Sequence, residues 1–192
     1  MKYQQLSDIE YSLGTYSIVP IRRADMLSIK EWRNEQMEVL RQSKRLTDED
    51  QMRYYDSLVK QSFEEPFPRI MLFSYLLDGR LIGYGGLTNL DWVNKRAEIS
   101  YLLETARSSE KDVERYVQDF SSFLSLMKRI AFKELAVNRL YTETFDIRPL
   151  HIATLERNGF RFEGRMREHV CIEDKYIDSL IHGCLVKEHN YV

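Results

Sequence analysis

The sequence predicts an α/β fold of the α+β kind, a mixed central sheet of about seven strands with about four helices on its two faces. Three observations predict it. Apolar residues alternate or run on through 70–77, 81–87 and 97–103, with Asp78-Gly79 as a turn between the first two, as paired strands require. One stripe at helical spacing runs from Val113 through Phe120, Phe123, Met127 and Ile130 to Leu135 without a glycine or proline. Glycine and proline number only 8 and 4 in 192 residues, which excludes linker-rich and collagen-like chains and places most residues in regular elements.

Taken in order, residues 1–13 show no period and read as an N-terminal extension to a single domain spanning 1–192. Residues 15–23 read as an edge or first strand, because Pro20 cannot donate to a ladder. Ala24-Asp25 opens a helix with the stripe Met26, Leu27, Ile29, Trp32, Met37 and Leu40. Thr47 caps a second helix, with Asp48, Glu49 and Asp50 in its first turn and Pro66 and Pro68 as its stop. After the 70–87 hairpin, residues 97–103 are apolar on both alternating faces, so the sheet should be covered on both sides. The long stripe amounts to a rod of roughly 33 Å, enough to lie along the whole sheet. A strand at 139–145 follows, then a short helix from Pro149 to a glycine stop at Asn158-Gly159. Two strands, 160–171 and 176–186, close the chain around a turn at Glu173-Asp174.

Composition narrows the function classes. Lysine plus arginine is 28 and aspartate plus glutamate 30, a net charge of −2 without the basic field that attracts phosphate backbones, so nucleic acid is not an expected partner. Apolar runs fall far short of the roughly 18 to 20 residues that cross a bilayer, and no charged-then-apolar leader is visible. No membrane partner is expected, and the cytoplasm is the expected address. Cys171 and Cys184 read as buried free thiols, and the four histidines lack HxxxH spacing, so no metal site is expected.

Several local sequences, in this order, carry a resemblance: Ile21-Arg22-Arg23 and Trp32-Arg33-Asn34, then Ala97-Glu98-Ile99-Ser100-Tyr101-Leu102-Leu103, then Leu155-Glu156-Arg157-Asn158-Gly159-Phe160 with Glu163-Gly164, and Lys175-Tyr176-Ile177-Asp178-Ser179-Leu180. With the element order, they make residues 16–186 resemble the GNAT superfamily of acyl-CoA-dependent N-acyltransferases, nearest the branch of ribosomal-protein N-terminal and nucleotide-sugar amine acetyltransferases. The resemblance implies acetyl-CoA as co-substrate and a primary amine as acceptor, attacked directly without a covalent enzyme intermediate. It implies that the pantetheine arm pairs like an extra strand with a splayed central strand, here at Leu102, Leu103 and Glu104, where a backbone N–H would also face the thioester oxygen.

The family's pyrophosphate loop, R/Q-x-x-G-x-G/A, is altered here. Aligning Arg107 with its first position puts Glu110 and Asp112 where small residues belong. The expected site is therefore displaced, with Arg107, Ser108 and Ser109 donating at a shifted helix start; Arg148, just before the short helix, is a further cofactor-binding candidate. The resemblance makes Glu98 the candidate general base, desolvated by Ala97 and Ile99, with Glu143 in reserve. The alternative for Glu98 is a strand-end carboxylate paired with Lys95 or Arg96. The tyrosine and serine with which relatives protonate the departing thiolate are missing, which leaves His151, whose ring titrates near neutrality, and Tyr141.

Residues 32–55 would set the acceptor. Trp32 and Arg33, with Tyr84 of the hairpin, suit a nucleotide-sugar amine, while the mixed charge from Arg41 to Asp50 also suits a peptide N-terminus. Arg165, Arg167 and His169 alternate on one strand and either line the acceptor pocket or form a solvated face. Gly83-Tyr84-Gly85-Gly86 lies inside a strand, so a bulge or close approach explains it better than a phosphate loop. A homodimer is compatible with the resemblance. The rival reading is a non-catalytic module of the same shape that binds a ligand or partner.

Overall fold

The computed structural model describes residues 1–108 and 112–189. Its centre is a sheet of eight strands: β1 (Tyr11–Leu13), β2 (Tyr16–Pro20), β3 (Met71–Leu77), β4 (Arg80–Asp91), β5 (Arg96–Leu103), β6 (Arg139–Phe145), β7 (Arg161–Ile172) and β8 (Lys175–Leu185). They lie in the order β1-β2-β3-β4-β5-β6-β8-β7, and every pair is antiparallel except β5–β6.

The helical elements are α1 (Met26–Glu35), α2 (Asp48–Tyr54), α3 (Lys60–Ser62), α4 (Val113–Arg129) and α5 (Pro149–Arg157). A π-helical segment, Tyr55–Val59, joins α2 to α3, so the two form one rod, and a second at Ile130–Glu134 prolongs α4. Thr47 caps α2 through the amide of Asp50, whose carboxylate accepts from the Thr47 amide in return.

Strand register fixes which face each helix covers. Tyr84 stands opposite Leu102 and Gly85 opposite Tyr101, so the Tyr84 and Tyr101 side chains point to opposite faces. Tyr101 stacks on Phe120 of α4, with ring centroids 4.4 Å apart, while Tyr84 accepts a 2.5 Å hydrogen bond from Arg33 of α1. α4 and α5 therefore cover one face and α1 the other, as a sheet buried on both sides requires. Gly85 is obligatory here: a Cβ would strike the Ser100 carbonyl and lie 2.7 Å from the Phe123 ring. The glycine run serves close packing between strands and α4.

Three expectations are corrected. The sheet has eight strands because residues 1–13 are part of the packed body: Tyr3 and Tyr11 are buried, and the Tyr3 hydroxyl takes the Leu72 amide at 2.7 Å and donates to its carbonyl at 3.1 Å. β2 is consequently interior, with β1 outside it. α1 ends at Glu35 rather than continuing to Leu40, because Gln36 leaves the helical conformation and sends its side-chain amide to the Leu103 carbonyl at 2.9 Å.

Candidate active site

The parallel ladder between β5 and β6 holds only at Arg96/Arg139, Ala97/Leu140 and Glu98/Tyr141. Beyond Glu98 the strands diverge. The Glu104 amide bonds the Ile82 carbonyl across the β4 side, so by antiparallel alternation the even residues of β5 direct their main-chain groups to β4. The odd residues, Ile99, Tyr101 and Leu103, direct theirs into the gap. The expected contact stretch was Leu102 to Glu104, and the register moves it: Leu102 and Glu104 face β4, and the Leu103 carbonyl already accepts from Gln36. The Ile99 amide closes the last rung on the Tyr141 carbonyl, and the Ile99 carbonyl with the main chain of Tyr101 carries the open edge. Strand parity fixed by the 81–103 pairing was the signal that could have found them.

A cavity of about 320 Å³ fills the divergence. Its walls are Glu98, Ile99, Ser100 and Tyr101 on β5 and Thr142 to Phe145 on β6, with Phe120 and His151 behind and Val39, Leu40 and Arg41 across the front. A second cavity, sharing Val39, Arg148 and His151, continues to Thr105, Ser108 and Tyr116 at the start of α4. Three residues that line the first cavity carry a buried polar side-chain atom without a hydrogen-bond partner: Tyr101 Oη and Thr142 Oγ1 on the α4 side of the sheet and Glu143 Oε1 on the α1 side. An open strand edge with unanswered polar atoms fits an extended arm bearing amide groups.

Glu98 sits at the closed end of the gap with only 3% of its surface exposed. Its Oε1 accepts from Arg41 Nη2 and its Oε2 from Asn89 Nδ2 at 2.7 Å. Arg41 Nη1 also lies 3.5 Å from Glu143 Oε2. Of the expected solvent partners, Arg96 pairs with Asp91 instead. The sequence read Arg41 only as part of a charged acceptor segment and did not single out Asn89, nine residues before Glu98 on the neighbouring strand.

His151 is buried beside Phe120, with ring centroids 4.3 Å apart, and its Nδ1 pairs with the Tyr116 hydroxyl at 2.7 Å. Burial, reinforced by the Arg148 charge, pushes its ring well below the ordinary histidine range, so the ring is neutral near pH 7. It is therefore no imidazolium donor. Tyr141 lines a neighbouring cavity with Trp92 and Arg96 rather than the gap, and burial with the Glu98 charge pushes its phenol up.

The loop before α4 is largely engaged within the chain. Arg107 pairs bidentately with Asp119, Ser108 Oγ bonds the Thr105 carbonyl at 2.9 Å, and Asp112 caps α4 by accepting from the Arg115 amide. Ser109 lies outside the described residues. Arg148, at the N-terminus of α5, faces both cavities.

Within the Trp32-Arg33-Asn34 segment, Trp32 packs half-buried against the core. Arg33 lines the gap while donating to Tyr84 and to Gln42 at 3.0 Å. Asn34 holds the 42–46 segment through the Leu46 amide and carbonyl and Gln42. On β7, Arg165 binds Asp146 and Asp178, and only His169 approaches the site, 3.5 Å from Glu143 Oε1. Both cysteines are free thiols, Cys184 buried as expected but Cys171 exposed, because β7 is the outermost strand of the sheet; no cluster among the described residues could hold a metal ion.

Residues 18–181 match the family model of an acetyltransferase (GNAT) domain. The chain belongs to the GNAT acetyltransferases. GNAT acetyltransferases use acetyl-CoA as co-substrate, and solved structures of the same fold bind CoA. One is spermidine N-acetyltransferase from Vibrio cholerae with CoA and spermine, 16% identical, with a TM-score of 0.77 over 92% of this chain and 98% of that one. Another is RimL, a ribosomal alpha-N-protein acetyltransferase with coenzyme A, 12% identical, with a TM-score of 0.74 over 95% and 100%. A probable acetyltransferase is 21% identical, with a TM-score of 0.73 over 94% and 98%. None of the curated proteins matches the sequence.

Proposed function

We propose that this GNAT protein transfers an acetyl group from acetyl-CoA to a primary amine by direct attack in the gap between β5 and β6. The open edge at Ile99 and Tyr101 carries the reading, since a ladder continued past Glu98 would leave no main chain for an extended arm. Acetyl-CoA supplies the acyl group as a thioester. The Ile99 and Tyr101 main chain binds and orients its arm, and Arg148 with Ser108 offers charge and a hydroxyl to the diphosphate. Leu103 contributes its amide, while Leu102 and Glu104 support the edge from the β4 side. Arg107 acts indirectly, by fixing the loop.

Glu98 takes the proton of the attacking amine, which requires one of its two hydrogen-bond donors to give way. His151 orients the Tyr116 hydroxyl, and Tyr141 packs behind Glu98. Neither is needed as an acid, because a thiolate leaves readily.

Glu98 and Glu143 favour an acceptor that brings positive charge to the floor of the gap. Two of the similar structures, named for spermidine and for a protein N-terminus, are in keeping with that. A nucleotide-sugar amine is the weaker choice, since Trp32 is packed into the core and Arg33 is held by Tyr84 and Gln42. A cytoplasmic location and a homodimer belong to the same proposal; no helix among the described residues is long and apolar enough to cross a membrane.

The second reading, a module that binds without acylating, draws on the engagement of Arg107 and Asp112 within the chain. A thermal-shift titration separates the two. Acetyl-CoA at a hundred times its dissociation constant should stabilise the fold by about 2.7 kcal/mol. A shift accompanied by acetylated amine in mass spectra supports the enzyme; no shift at millimolar acetyl-CoA refutes it.

A further inference from the structure

Arg41 is an odd partner for two shielded carboxylates. Its side chain is 56% exposed, whereas Glu98 and Glu143 are 4% and 13% exposed. It hangs from the segment after α1, which Asn34 and Gln42 fasten on its far side, and it reaches into the gap from solvent. Glu143 is not fully satisfied by it. Its Oε1 is buried without a hydrogen bond, with His169 Nε2 3.5 Å away. A pocket built only to hold Arg41 would not leave this oxygen unanswered.

We infer that Glu98 and Glu143 form a subsite for a primary aliphatic ammonium ion and that Arg41 is its built-in occupant, displaced when the ligand enters. The inference rests on the proposed acetyl transfer only in identifying that ammonium ion with the acceptor. Charge supports the exchange: one cation replaces another, so the buried carboxylates are never left unpaired, a state that costs far more than either pairing. Geometry supports it too. A guanidinium entering from solvent withdraws without moving the sheet, whereas Asn89 stays on Glu98 Oε2 and holds the carboxylate in place. The ammonium ion has three N–H donors, enough for Glu98 Oε1 and both oxygens of Glu143. Displacement also frees Glu98 Oε1, the oxygen on which the amine's proton must land. Arg41 thereby excludes neutral ligands and lowers apparent affinity by the fraction of time it is closed.

The test is an NMR shift titration of the protein without acetyl-CoA, using n-butylamine hydrochloride as the probe and n-butanol as its uncharged counterpart. Wild type, Arg41→Gln and Glu143→Gln are compared after far-UV circular dichroism has checked their folds. Arg41→Gln should bind the amine about fivefold more tightly or better, Glu143→Gln should bind it more weakly than wild type, and the alcohol should perturb none of them. Equal or weaker amine binding by a folded Arg41→Gln protein overturns the inference. If that variant does not fold, Glu143→Gln decides, and undiminished amine binding there overturns it. The same proteins titrated with acetyl-CoA keep the two ideas apart. Amine binding as stated without an acetyl-CoA shift removes acyl transfer and leaves the subsite, while the reverse pattern removes the subsite alone.

Discussion

Arg107 grips Asp119 with two hydrogen bonds, Nε to Oδ2 at 2.8 Å and Nη2 to Oδ1 at 3.0 Å, and the Asp119 side chain is fully shielded from solvent. Tyr16 of β2 adds a third donor at 2.8 Å, and the Tyr75 hydroxyl of β3 bonds the Asp119 carbonyl at 2.7 Å. One carboxylate thus ties the loop after β5 to the second turn of α4 and to the sheet beneath. That loop ends the open edge, so the position of the mouth of the gap depends on this pair.

Removing one partner of such a pair leaves the other charged and unpaired. Asp119→Ala should lower stability by about 3 to 5 kcal/mol, seen in thermal unfolding as a fall in Tm of roughly 6 to 20 °C for a chain of this size. An unchanged Tm would show that Arg107 finds water instead.

His151 gives a pH signature. Its ring is held below its ordinary value of 6.5 by burial, so between the two values the unfolded chain binds a proton that the folded chain does not. Stability should therefore rise with pH up to about 6.5 and fall as the solution is acidified below it. Urea unfolding of wild type and His151→Phe from pH 5 to 7.5 checks this: the wild-type curve should be the steeper below 6.5. Parallel curves would mean that the ring titrates normally in the folded protein.

Most of the fold was legible because it is written in local periods. The 3.6-residue stripe of α4, the Asp78-Gly79 hairpin and the Asn158-Gly159 stop each depend on near neighbours. β1 was not, since three residues joined to β2 by a tight turn are too few to show alternation, and Tyr3 is fixed by an interaction 69 residues away. The site was legible to the same degree. Glu98 and the splayed strand followed from one segment, but the partners that define their chemistry, Arg41, Asn89 and Gln36, meet them only through the fold. The register parity that exchanges Leu102 and Glu104 for Ile99 and Tyr101 is likewise a property of a pair of strands.

Glu98→Gln separates binding from chemistry. The amide keeps the side chain's shape but cannot accept the amine's proton, so turnover should drop by about 10²- to 10⁴-fold while the acetyl-CoA thermal shift persists. Steady-state kinetics with equal turnover would remove Glu98 from the role of base.

The open edge itself is tested most directly by amide hydrogen exchange at single-residue resolution, with and without acetyl-CoA. The Tyr101 amide should exchange readily in the free protein and become strongly protected when acetyl-CoA is added, while those of Ile99, Leu102 and Glu104, already bonded to β6 or to β4, change little. A Tyr101 amide that is protected in the free protein, or that stays unprotected with acetyl-CoA bound, would contradict the account.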